Sequence, residues 1–86
     1  MNSALLSLKQ DVQSLLKEYR EFAYGLSADN PFSRYSIDYQ LPKFKGRTRA
    51  MNCLFNLINP NALSYEDLQL YREVDSLLDD LNEEVF

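Results

Sequence analysis

Three groups of side chains in this sequence could do chemistry: Cys53, the carboxylates crowded after Asp75, and the cations between Arg34 and Arg49. Cys53 is the single cysteine, and there is no histidine. Without an imidazole the usual acid–base group near neutral pH is missing, and nothing stands ready to activate the thiol as a nucleophile. With Leu54 and Phe55 beside it, Cys53 is expected to be a buried or half-buried structural thiol. One cysteine forms no internal disulfide, and without histidine it builds no zinc site. Lys45-Gly46-Arg47 is too short to be a phosphate-binding loop. No catalytic residue, metal site or cofactor is expected, and the chain reads as a non-enzyme.

The carboxylates invite a binding reading. Asp75–Asp79, Asp79–Glu83 and Asp80–Glu84 are like charges one helical turn apart. Each such pair costs about 0.2–0.5 kcal/mol in an isolated helix. Asp79, Asp80, Glu83 and Glu84 would also sit at the negative end of the helix dipole, at about 0.3–1 kcal/mol per group in low salt. Folding alone gives no reason for that crowding. Asp75, Asp79, Asp80, Glu83 and Glu84 are therefore either a solvated face or an acidic ridge that meets a basic surface, on a protein partner or on this chain. No loop supplies further oxygen ligands, so a calcium site is not expected.

The basic stretch interleaves charge with rings: Arg34, Tyr35, Tyr39, Lys43, Lys45, Arg47 and Arg49. Aromatic faces and cations together suit stacking and phosphate contact on a single strand of nucleic acid. Arg47 and Arg49, placed at the start of a helix, would flank free backbone N–H groups and form an anion site. The competing reading puts the rings in the core and uses the cations to neutralise the acidic helix. The net charge of −4 argues against an unassisted nucleic-acid binder. Charge is nonetheless segregated. Residues 34–49 hold five cations against Asp38, whereas residues 50–86 hold Arg72 against eight carboxylates.

The elements that must position these groups follow from periodicity. Leu5, Leu8, Val12, Leu15, Tyr19, Phe22 and Leu26 alternate spacings of three and four, a heptad seam. It predicts a helix from Ser3 to Leu26, capped by Asn2 or Ser3 and stopped by Gly25 and the Ser27–Pro31 stretch. Met51, Leu54, Phe55 and Ile58 predict a second, shorter helix over 47–59, ended by Asn59-Pro60-Asn61. A third runs from Ser64 to about Glu84, with Asp67 close to completing a capping box. Its stripe is Leu68, Tyr71, Val74, Leu78, Leu81 and Val85, widened by Leu70 and Leu77. Between the first two helices Tyr35, Ile37, Tyr39 and Leu41 alternate with polar residues. That period of two predicts a strand or extended segment over 34–42, closed by Pro42. It either lies on the helices or pairs with another chain, since a lone strand leaves its backbone groups unpaired.

The whole is expected to be mainly α, one helical domain over residues 1–86, a small bundle of three main helices. The low glycine count, two, agrees. No apolar run approaches the ~18 residues of a membrane span, so a cytoplasmic protein with no membrane contact is expected. Because the second helix looks too short to cover the seam of the first, a homo-dimer or small homo-oligomer is expected too. The favoured function is a non-catalytic regulator, inhibitor or adaptor that binds a protein partner, with Leu15, Phe22, Leu54 and Leu78 in its core. The alternative is nucleic-acid or nucleotide binding through 34–49. Strand, helix, turn, helix over residues 34–84 resembles a ribbon-helix-helix DNA-binding dimer, which implies Arg34, Ser36, Asp38 and Gln40 facing the major groove. Leu70-Tyr71-Arg72 is the tripeptide of the mitochondrial LYR-motif proteins, but those carry it near the start of their first helix and here it opens the last.

Overall fold

A computed structural model describes residues 2–26 and 31–86. The order is α1 (Ser3–Tyr24), α2 (Pro31–Asn56), a short 3₁₀ turn (Pro60–Ala62) and α3 (Tyr65–Val85). The chain is a small three-helix bundle, and no strand occurs among the described residues.

Its ends follow the sequence signals. Asn2 caps α1, its side chain accepting from the Leu5 N–H at 3.1 Å. Gly25 closes α1 at φ −75°, in the right-handed region, so its freedom to turn left-handed is not used. The Ser27–Asn30 stretch expected to stop α1 lies outside the described residues. Pro31 opens α2, where a missing N–H costs nothing. Asn59 accepts from the Asn61 N–H across the turn that Pro60 begins. Ser64 caps α3 by accepting from the Asp67 N–H at 3.2 Å. The Asp67 carboxylate does not complete the capping box. It accepts instead from the Asn2 N–H at 2.8 Å, tying the start of α3 to the start of α1.

That tie sets the topology. Lys9 meets Glu73 and Arg20 meets Glu84, so α1 and α3 run parallel, side by side. α2 returns antiparallel to both, with Arg47 on Glu18, Phe55 stacked on Tyr71 and Arg49 over Phe86. One core joins the three: Leu5, Leu8, Val12, Leu15 and Leu16 of α1, Phe44 and Phe55 of α2, and Leu70, Val74, Leu78, Leu81 and Val85 of α3. Burying such side chains contributes about 1.5–3 kcal/mol each. Most of the expected stripe of α3, without Leu68, and most of the α1 seam are here, with Tyr19, Phe22, Tyr71 and Leu77 packed against the cluster from its edge.

Four expectations about the middle of the chain are corrected. Residues 34–42 are neither strand nor extended: α2 runs unbroken from Pro31 through Pro42 and Gly46 to Asn56. Its inward line is Ser33, Ser36, Phe44, Thr48 and Phe55, which is helical spacing carried partly by small polar residues. Thr48 is fully buried and satisfied, its hydroxyl donating to the Phe44 carbonyl at 2.8 Å. Of the apolar alternation that suggested a strand, Tyr35, Ile37 and Tyr39 are exposed, the two tyrosines 60% each, and Leu41 is half-buried. Second, α2 is the longest helix, with 26 residues against 22 and 21, rather than the shortest. Third, Leu54 is 55% exposed and not core. Fourth, Cys53 is exposed. Both follow from register: Phe55 takes the inward position of that turn, and its neighbours in sequence point away.

The molecule measures 50 × 18 × 18 Å. Arg49 already reaches Phe86 at the end of α3, so the first half of α2 extends beyond α3 and packs only along the last turns of α1. There Tyr19, Phe22 and Phe44 form a ring cluster with centroids 5.1 to 6.0 Å apart. Tyr19 also donates to the Glu84 carbonyl at 2.7 Å, satisfying a carbonyl in the last turn of α3.

Candidate functional site

Two outer faces hold the candidate residues. On α3, Asp75, Asp79, Asp80, Glu83 and Glu84 are all exposed, but they do not act as one ridge. Helical register turns Glu73 and Glu84 toward α1. Glu84 there accepts from the Arg20 Nε and Nη2, the shorter bond at 2.8 Å. This hydrogen-bonded guanidinium holds the Glu84 carboxyl below its ordinary value, and the pair, with Asp80 nearby, raises the Arg20 pKa. Asp75, Asp79 and Glu83 follow one another at successive turns on the opposite flank. No described residue forms an ion pair with any of them. The acidic set therefore splits into an internal clasp to α1 and an uncompensated stripe.

The cations of α2 do not neutralise that stripe. Arg47 bridges Glu18 of α1 at 2.7 Å, and the Arg49 guanidinium lies 5.2 Å from the centre of the Phe86 ring. Arg34, Lys43 and Lys45 form no ion pair with a described residue. Arg47 and Arg49 lie deep inside α2, not at its start, so the backbone N–H groups around them are used by the helix and the expected anion site is absent. The strand on which the ribbon-helix-helix resemblance rests is absent as well, because residues 34–42 are helical.

α2 assembles a surface that sequence reasoning missed. Tyr35, Tyr39, Gly46, Ala50, Cys53 and Leu57 are all exposed and recur at helical spacing along its solvent side, with Pro42 in the same line. The line covers roughly 33 Å at 1.5 Å per residue. No member of it is charged, whereas Arg34, Lys45 and Arg49 border one side and Lys43 and Arg47 the other. The Tyr35 and Tyr39 rings pack on each other at 4.5 Å. At the far end Leu57 is 81% exposed, and with Leu54 and Ile58 it borders an apolar cleft against Ala4 and Leu8 of α1. A scan for uncharged positions at the 3.6-residue helical period would have found this line; a search for large apolar residues passes over Gly46, Ala50 and Cys53.

A second polar device lies between α2 and α3. Asn52 and Asn82 exchange amide hydrogen bonds at 2.8 and 2.9 Å, and Asn82 also donates to the Leu78 carbonyl. These bonds fix the register of the two helices. Among the described residues no cluster of histidine, cysteine or carboxylate side chains is arranged to hold a metal ion, and no helix is long and apolar enough to cross a membrane. Comparison with protein families, with curated proteins and with solved structures finds no match to this chain.

Proposed function

We propose that the chain is a non-catalytic protein-binding module, a regulator, inhibitor or adaptor, and that it engages its partner through the outer face of α2. One observation carries this reading. An uncharged line from Tyr35 to Leu57 lies open along the outer side of α2 and the turn that follows it, while Phe44 and Phe55 of the same helix pack into the core. Exposed aromatic and aliphatic side chains in one contiguous strip are the usual mark of a protein contact. The Asp75, Asp79 and Glu83 stripe supplies a separate acidic contact for a basic region of the same partner. A single cysteine that cannot pair internally supports a reducing, cytoplasmic setting.

The test is capture of a partner from source-cell extract by the whole chain, read as the mass of the native particle. Tyr35→Glu with Leu57→Glu should abolish capture, and Asp75→Lys with Asp79→Lys should weaken it, while all remain folded. Capture that survives both pairs refutes the proposal.

The second reading is nucleic-acid binding through 34–49. It is favoured by Arg34, Lys43 and Lys45, which form no ion pair with a described residue, on the same helix as the Tyr35 and Tyr39 rings. Reversing Lys43 and Lys45 to Glu should then remove oligonucleotide binding. Its affinity should fall with salt at a log–log slope of about −0.7 per neutralised phosphate on single strands. Self-association is not part of this reading, since Leu5, Leu8, Val12 and Leu15 of the α1 seam pack into the core of the same chain.

A further inference from the structure

We infer that the outer face of α2 is a docking surface for an acidic amphipathic helix of the partner protein, laid lengthwise along it. This rests on the protein-binding reading above and names the chemistry of the partner.

The shape of the strip points to a helix. It runs along one helix for about six turns by the ordinary helical rise and is one residue wide. Its middle is Gly46, Ala50 and Cys53, while bulk is kept to the two ends, at Tyr35 and Tyr39 and at Leu57. The distance between packed helices is set by the side chains at the contact, so a small-residue middle admits the closest approach. Gly46 is the sharpest sign. Glycine is disfavoured inside a helix. Here a Cβ would meet nothing within 4 Å, so the packing of this chain gives no reason for a glycine. A neighbouring helix crossing at that point does. The cleft bordered by Leu54, Leu57 and Ile58 then takes a bulky apolar side chain near one end of the visitor.

The charge pattern decides which helix. From Arg34 to Leu57 the sequence carries five cations and one carboxylate, Asp38, and the cations stand on both borders of the strip. Arg47 is held by Glu18 and Arg49 lies over Phe86. Arg34 and Lys45 on one border and Lys43 on the other form no ion pair with a described residue. Carboxylates flanking the apolar stripe of the visiting helix would therefore meet a cation on either side, as flanking charges do in paired helices. A second copy of α2 would bring lysine and arginine against lysine and arginine. A nucleic-acid strand needs open rings, whereas Tyr35 and Tyr39 already pack on each other, and the small apolar middle offers a base nothing to stack on.

Cys53 lies in the middle of the strip and is the sole thiol, so its alkylation rate reports occupancy directly. The probes are two synthetic helical peptides with the same leucine stripe, one flanked by glutamates and one by lysines. The glutamate peptide should slow iodoacetamide labelling of Cys53 at least tenfold at micromolar concentration, and the lysine peptide should not. Gly46→Trp should abolish the protection while circular dichroism stays native and melting is not lowered, because a Cβ at this position meets nothing in this chain within 4 Å. Lys43→Glu with Lys45→Glu leaves cations and carboxylates in equal number along this segment, so that variant should lose the preference between the peptides.

Equal protection by both peptides, or none up to millimolar concentration, overturns the inference. So does self-protection that grows with protein concentration, which would make a second copy the occupant, and so does protection by an oligonucleotide. Extract capture that persists in Gly46→Trp while neither peptide binds would leave the protein-binding reading standing and remove only this one.

Discussion

At the residue scale, Gly46 and the Arg20–Glu84 pair make opposite kinds of statement. Gly46 weakens the free chain: it is exposed within α2 and an added Cβ finds open space. Gly46→Ala should therefore stabilise the isolated protein by about 1 kcal/mol, the ordinary difference between the two residues in a helix. In a domain of this size that raises the melting temperature by about 4–8 °C. A thermal scan showing no gain would mean that the backbone near Gly46 is not regular helix. The Arg20–Glu84 pair strengthens the fold, and its pH dependence has a definite sign. The Glu84 carboxyl is held below its ordinary value of 4.5 by the hydrogen bonds from Arg20. A depressed carboxylate contributes stability above the unfolded pKa and loses it as pH falls through the folded one. The acid limb of the stability curve should be flatter in Glu84→Gln than in the parent below about pH 4.5. The pair is solvent-exposed, so the difference should shrink as salt is added.

At the element scale, the helices differ in how their faces are used. α1 and α3 each bury one continuous apolar stripe. α2 turns a mixed line of polar and aromatic residues inward and an uncharged line outward. Two substitutions separate these faces. Leu15 is fully buried, so Leu15→Ala should cost about 2–5 kcal/mol in a denaturant titration. Leu54→Ala removes a side chain that is 55% exposed and should change stability by no more than about 0.5 kcal/mol. Equal losses from the two would show that the register of α2 is wrong. Pro42 is a second check on the same helix. It lacks the N–H that would bond the Asp38 carbonyl, so Pro42→Ala should stabilise α2, by up to about 3 kcal/mol.

At the scale of the whole molecule, charge and apolar surface are separated with little waste. α1 takes ion pairs from both neighbours, Glu18 with Arg47 and Lys9 and Arg20 with Glu73 and Glu84. Among the surfaces these pairs leave open are a basic-bordered strip on α2 and an acidic stripe on α3. The interior is complete within one chain, with no buried side-chain polar atom left without a partner among the described residues. The free protein should accordingly sediment as a 10.1 kDa particle at micromolar concentration. A dimer under those conditions would mean that the α2 strip pairs with itself despite its cations.

The sequence by itself determined α1 and α3, their caps and nearly all of their buried faces. Leucine and valine at spacings of three and four leave a helix one way to bury them, and Asn2 and Ser64 supply the local hydrogen bonds that start it. It determined the segregation of charge as well, since that is a property of order along the chain. Only the tertiary structure decided α2. Over 31–48 local signals conflict: an alternation of period two, a proline, a glycine, and an inward line that includes serines and a threonine. Packing against the last turns of α1 resolves the conflict in favour of helix. Once that helix exists, Tyr35, Tyr39, Gly46, Ala50, Cys53 and Leu57 fall into one line. The tertiary structure also divided the carboxylates, because which of them meet Arg20 depends on α1 and α3 lying parallel. Spacing along one helix says which side chains share a face; the arrangement of the other two says which faces are covered.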